Sequence, residues 1–193
     1  MTDPPVADAI EHLLLFVEDA LSQHGFPHAF GGAIALAYCT QQARGTTDLD
    51  VNVFVSADDA QAVFEALSPT VSWSEADLTS VTRDEQVRLW ASGFALDLFF
   101  TYADLHEVAR RRVRQVPFAG RTIPVLECTD LAVFKVMFNR TKDWADIEAA
   151  LEAGSLDVRR LRSWITRLVG RDDPRHGSLD QAIAIVREGR NAE

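Results

Sequence analysis

Apolar residues at Val6, Ile10, Leu13, Leu14, Val17 and Leu21 recur at the spacing of one helix face, which predicts an amphipathic opening helix ending near Gly25. A short strand is expected over Phe26–Phe30. Gly31-Gly32 then opens a small-residue helix, Ala33–Thr40, and the polar stretch Gln41–Thr47 leads into a second strand, Asp48–Val55. Residues 57–67 read as helix. Val81–Arg83, Gln86–Trp90 and Phe94–Phe100 read as strands, the last two joined by a turn at Ser92-Gly93. Past Tyr102 a helix carries Arg110, Arg111 and Arg112. Val113–Phe118 and Thr122–Leu126 flank Ala119-Gly120 as a hairpin, and helices follow at about 129–139, 143–153, 157–169 and 178–190, with Gly154, Gly170 and Gly177 near their ends.

Strands crowd the first two thirds and helices the last, without an internal repeat. The economical architecture is α+β: a core with a mixed sheet over residues 1–128, flanked by helices, and a helical carboxy-terminal part over 129–193 packed on it. At 193 residues with 47% apolar and 25% charged positions, the chain is a globular protein of one domain or two small ones.

Net charge is −10, unevenly spread: residues 1–100 set fifteen carboxylates against Arg44, Arg83 and Arg88, whereas residues 101–193 are slightly basic. Carboxylates gathered in the first half suit metal binding, or are simply solvated helix faces. The longest apolar stretch, about 29–39, is short of the roughly 20 residues a membrane span needs, and the acidic opening with Asp3, Asp8 and Glu11 predicts no secretory signal. Cys39 and Cys128 lie in apolar surroundings without CxxC spacing, so both are expected as reduced core thiols of a cytoplasmic protein.

The candidate chemistry starts in the second strand. Alternation places Asp48 and Asp50 on one side of it, about two residues' rise apart. Like charges so close raise each other's pKa unless a cation compensates, and Mg2+ or Mn2+ prefers such oxygen ligands; a solvent-facing strand start is the other reading of the pair. Asp97 stands alone in the apolar run Phe94–Phe100, where an unpaired buried charge is costly, so it requires a metal, a base or several hydrogen bonds. If the two strands are neighbours, Asp97 completes a three-carboxylate site able to hold one or two Mg2+ against a triphosphate. Gly31-Gly32, between strand and helix, allows close backbone approach and offers helix N–H groups to a phosphate.

Phe30-Gly31-Gly32-Ala33, then Arg44-Gly45-Thr46-Thr47-Asp48-Leu49-Asp50, then Asp97 in an apolar strand, resembles the nucleotidyltransferase fold of the DNA polymerase β superfamily. Lys135, Arg140, Asp143 and Asp146, in Lys-Val-Met-Phe-Asn-Arg-Thr-Lys-Asp-Trp-Ala-Asp, resemble the helical motif of the AbiEii-like toxins of type IV toxin–antitoxin systems. The likeness spans about residues 26–150. The family's usual Gly-Ser is Gly31-Gly32 here, leaving no hydroxyl for phosphate contact. The resemblance implies a metal-dependent enzyme that moves an NMP from an NTP to an acceptor hydroxyl, with Asp48, Asp50 and Asp97 as catalytic metal ligands, Lys135 as a catalytic residue against the phosphates, and Arg140 and Asp143 beside it in nucleotide binding. It implies tRNA as acceptor, toxicity through blocked translation and a cognate antitoxin protein. Thr46 and Thr47, beside the acidic motif, are by the same resemblance candidates for regulatory phosphorylation, or only start the strand. Two other readings stay open: an antibiotic- or protein-modifying nucleotidyltransferase, and a non-catalytic binding module with this fold.

Lys135 supports an anion site independently, being the only charge in Leu131–Phe138, although a lysine can also snorkel to solvent from a narrow polar edge. Asp143 and Asp146 lie i, i+3 on the next helix, where they can orient Lys135 or Arg140; Asp146 reads as surface or structural. Arg44 either steadies phosphates or pairs with Asp48 or Asp50. Two arginine clusters, Arg110 to Arg121 and Arg159 to Arg175, either track a nucleic-acid backbone or are salt-bridged. His12, His24 and His28 read as ordinary surface or turn residues.

Overall fold

A computed structural model describes residues 6–192, with side chains described from 9 to 190; Asp3 and the side chains of Val6 and Asp8 lie outside that range. Helix α1 (Val6–Gln23) leads to β1 (His28–Phe30), α2 (Gly32–Thr40) and β2 (Asp48–Val53). A 3-10 turn, Ala57–Asp59, precedes α3 (Ala60–Leu67), followed by α4 (Glu75–Asp84), β3 (Gln86–Ala91), β4 (Phe94–Phe100) and α5 (Asp104–Arg112). The hairpin β5 (Arg114–Phe118) and β6 (Arg121–Val125) comes next, then α6 (Cys128–Phe138), α7 (Thr141–Glu152), α8 (Val158–Val169) and α9 (Arg175–Ala192).

The chain divides into two compact units: residues up to Ile34 with Arg44–Leu126, and Ala35–Ala43 with residues from Glu127 onward. The first holds a six-stranded sheet in the order β3-β4-β2-β1-β6-β5. β2 and β4 run parallel at its centre, and β1 is antiparallel to β2 and parallel to β6. The hairpins β3–β4 and β5–β6 are antiparallel and form the two ends. Position explains the patterns: β3, at an edge, alternates exposed and buried residues, whereas β4, an inner strand, is nearly continuously apolar and shielded along most of both faces. Leu49, Val51, Leu96, Leu98, Phe100, Phe64 and Leu14 are fully buried in this unit.

In the second unit α6 packs on α7 and α8, and α9 on α7 and α8. Leu161 and Ile165 are fully buried from α8 and Leu179 from α9, at the helical spacing of an inward face. No described helix is long and apolar enough to cross a membrane.

Three expectations are corrected. Val81–Arg83 is not a strand but the last turns of α4. Its β-branched residues suggested a strand, yet the Ser74 and Asp77 side chains form a reciprocal cap at the helix start, and Val81 is the buried residue of its inner face. Cys39 and Cys128 are not free thiols: the end of α2 and the start of α6 bring their Cα atoms to 5.6 Å and the two are disulfide-bonded, though both are buried as expected. His28 is not a surface residue. It is buried on β1, with Nε2 2.8 Å from Glu18 and Nδ1 2.9 Å from the Phe26 carbonyl. Burial alone would raise the Glu18 carboxyl, but the His28 contact holds it below its ordinary value.

Candidate active site

The parallel register of β2 and β4 sets Asp50 opposite Asp97 and Asp48 opposite Ala95. Paired residues of neighbouring strands project to the same face, so Asp48, Asp50 and Asp97 share one side of the sheet, while Leu49, Val51 and Val53 fill the other. The strand adjacency on which the three-carboxylate reading depended is therefore present.

Each carboxylate has a different setting. Thr46 places its hydroxyl 2.6 Å from Asp48 Oδ1 and 3.0 Å from the Asp48 carbonyl oxygen, which fixes the carboxylate at the strand start. Thr47 is exposed, and its carbonyl accepts from the Ala95 N–H at 3.4 Å. Asp50 lies against the glycine turn: the Gly31 N–H donates to the Asp50 carbonyl at 2.8 Å, and Gly32, at φ +47°, has no room for a β-carbon beside the Asp50 carboxylate. The missing hydroxyl at Gly32 thus has a steric reason, since any side chain there would displace Asp50.

Asp97 is held by a residue that motif reading passed over. Arg88 stands opposite it on β3 and donates from Nε to Oδ1 at 2.7 Å and from Nη2 to Oδ2 at 2.6 Å. These hydrogen bonds, with the charge of Asp97 and smaller contributions from Asp48 and Asp50, push the guanidinium pKa well up. The signal was available: a two-residue turn at Ser92-Gly93 fixes the hairpin register and places residue 88 opposite 97.

The donor chemistry of Asp48 and Asp50 suits a hard divalent cation. Among the described residues no three His, Cys, Asp or Glu side chains gather closely enough to cage one. Mg2+ needs no such cage, because it is characteristically held by one or two carboxylates with phosphate oxygens and water. The pair fits an ion that arrives with a nucleotide; Asp97, expected with them, is instead engaged by Arg88. Arg44, just ahead of β2, is exposed.

Lys135, Arg140, Asp143 and Asp146 form a cluster in the second unit. Lys135 Nζ donates to Asp146 at 2.6 Å and lies 3.8 Å from Asp143, and both carboxylates are buried. Arg140 makes a fork to Asp143 at 2.7 and 3.1 Å, and its backbone N–H donates to the same side chain at 3.1 Å. Burial would raise the Asp143 carboxyl, but the Arg140 hydrogen bonds bring it below the usual range. Asp146 is a buried structural partner rather than a surface residue.

Most of the clustered arginines are neutralised locally. Arg110 and Arg111 pair with Glu107 at 3.6 and 2.9 Å, Arg121 with Asp19, Arg160 with Glu127, Arg162 with Asp180, and Arg175 with Asp173 at 2.9 Å. Arg167 stacks over Trp164, 5.1 Å from its ring centre.

No family model and no curated protein matches the chain. Solved structures do. A solution structure of the antibiotic-resistance factor ANT(2'')-Ia is similar at 16% sequence identity, over 96% of this chain and 95% of that one, with a TM-score of 0.54. A crystal structure of ANT(2'')-Ia in complex with adenylyl-2''-tobramycin is similar at 15% identity, over 82% of this chain and 96% of that one, with a TM-score of 0.58. At these identities the likeness shows the fold: a mixed α+β nucleotidyltransferase fold.

Proposed function

We propose that this chain transfers a nucleoside monophosphate from a nucleoside triphosphate to an acceptor hydroxyl. The observation that carries the reading is the register: Asp50 opposite Asp97 on adjacent parallel strands, with Asp48 on the same face, beside a glycine turn. The acceptor oxygen bonds to the α-phosphorus, the α–β bridging bond breaks, pyrophosphate leaves, and the hydroxyl proton passes to Asp97. Mg2+ or Mn2+ on Asp48 and Asp50 supplies charge neutralisation on the phosphates when bound. Thr46 holds Asp48 in place, the Gly31 N–H fixes the backbone of Asp50, and the bare backbone at Gly31-Gly32 lets a phosphate approach. Arg44 enters as a phosphate contact at the mouth of the acidic strand. Lys135 and Asp143, both buried, enter with the exposed Arg140 as an ion-pair set that stiffens α6 and α7.

We take the acceptor to be a small, cationic, polyhydroxylated molecule of the aminoglycoside kind. Support comes from the net charge of −10, the internal pairing of the arginines and the likeness to ANT(2'')-Ia. A second reading, tRNA as acceptor within a toxin–antitoxin pair, is favoured by the Lys135 to Asp146 helical motif. On that reading a phosphate on Thr46 would replace the hydroxyl that Asp48 accepts from and set negative charge beside it.

The test is incubation with each labelled NTP and Mg2+, offered an aminoglycoside panel, total RNA or a protein extract. Label on an aminoglycoside, lost in Asp50→Asn, is the expected result. Label on tRNA would establish the second reading, and no pyrophosphate release with any acceptor would leave a binding module.

A further inference from the structure

We propose that Arg88 is a latch on Asp97 that nucleoside triphosphate opens: the guanidinium holds the carboxylate in the free protein and moves to the phosphates when nucleotide binds. This rests on the nucleotidyltransferase reading and adds a residue that reading does not use.

The two partners are unequal. Asp97 sits on an inner strand with its side chain 14% exposed, whereas Arg88 sits on the edge strand β3 with its side chain 55% exposed. The carboxylate is fixed and the arginine is the partner free to swing. Both Asp97 oxygens accept from the fork, so while the pair stands the carboxylate's charge is already matched and it is a weaker ligand for a metal and a weaker base for an acceptor. Charge compensation of the largely buried Asp97 needs a cation, and what an exposed arginine on the edge strand adds to that is a partner that can be exchanged.

The same fork that fits a carboxylate fits a phosphate, with two parallel N–H···O bonds and complementary charge. Arg88, Asp97 and Asp50 form one row across three neighbouring strands and face the same way. Phosphates brought to the Asp48 and Asp50 end therefore arrive within the sweep of Arg88, and a triphosphate outbids a single carboxylate in charge. Exchange of partners couples nucleotide arrival to release of Asp97, which keeps the third carboxylate out of play until there is something to transfer.

The test uses two binding measurements on the intact chain, neither of them turnover: Mn2+ affinity without nucleotide, by electron paramagnetic resonance, and ATP and GTP affinity without metal, by calorimetry. Arg88→Gln is expected to tighten Mn2+ about threefold or more as Asp97 joins the site, and to weaken nucleotide about tenfold. Arg88→Lys, which keeps the charge but not the fork, should fall between and serves if the glutamine variant does not fold. The Mn2+ gain should vanish in Arg88→Gln/Asp97→Asn. If either affinity in Arg88→Gln stays within about twofold of wild type, the pair is static and the latch is overturned while the transferase reading stands. A wild-type chain that binds neither nucleotide, with or without Mg2+, overturns both.

Discussion

A β-carbon on Gly32 would lie 2.6 Å from Cγ of Asp50, inside the space its carboxylate occupies. Gly32 also takes φ +47°, a left-handed conformation that costs other residues about 1 kcal/mol. Gly32→Ser, although it restores the hydroxyl of the resembled motif, should therefore lower stability by roughly 2–4 kcal/mol and abolish nucleotide transfer. Gly25→Ala is the control: φ is +74° but nothing lies within 4 Å, so only the backbone cost of about 1 kcal/mol should appear. Urea unfolding of both variants makes the comparison.

The Lys135–Asp146 pair is almost wholly removed from solvent, with side chains 9% and 5% exposed. Asp146→Ala removes the ammonium's hydrogen-bonded partner, leaving it only the 3.8 Å approach to Asp143, and should cost about 3 kcal/mol, whereas Lys135→Met/Asp146→Leu should recover most of that loss. Denaturant midpoints of the single and double variants decide it. If the double variant is no more stable than the single, the pair is not what holds this region.

Burial pushes the His106 imidazole down to about 4, and only 1% of the residue is exposed. The unfolded chain takes up this proton near pH 6.5 and the folded chain near pH 4, so the neutral ring's contribution is full above pH 6.5 and is lost as pH falls to 4. The loss is on the order of 3 kcal/mol. Thermal melts of wild type and His106→Phe across that interval should show a flatter profile in the variant.

Cys39 and Cys128 close a loop across a sequence separation of 89 within the second unit. Restraint of the unfolded chain at such a length contributes typically 2–4 kcal/mol. Thiol titration in denaturant should count no free cysteine before reduction and two after, and the reduced chain should unfold at lower urea. Two thiols without reduction would restore the reading of both as plain core residues.

The fold was legible where pattern and period agree. The amphipathic spacing of Leu13, Leu14, Val17 and Leu21, the alternation over 86–91 and the turns at Ser92-Gly93 and Ala119-Gly120 gave the elements nearly to their ends. It failed at Val81–Arg83, where side-chain type was read in place of the cap that Ser74 and Asp77 build. Asp97 announced itself because a lone carboxylate in an apolar strand demands a partner, but which partner depends on register. For Arg88 that register was readable from the Ser92-Gly93 turn, while the Cys39–Cys128 bond was hidden because it joins segments that only the tertiary fold brings together.

β2 is hydrogen-bonded to β1 on one side and β4 on the other, whereas β3 closes the sheet as its outermost strand. Gln86, Arg88 and Trp90 stand on it in one outward row, the indole 57% exposed. Gln86 and Trp90, on either side of Arg88 in that row, can be replaced with no disturbance to the ladder that anchors the acidic pair. The rim of the sheet is where this protein can accept change, and its middle is where it cannot.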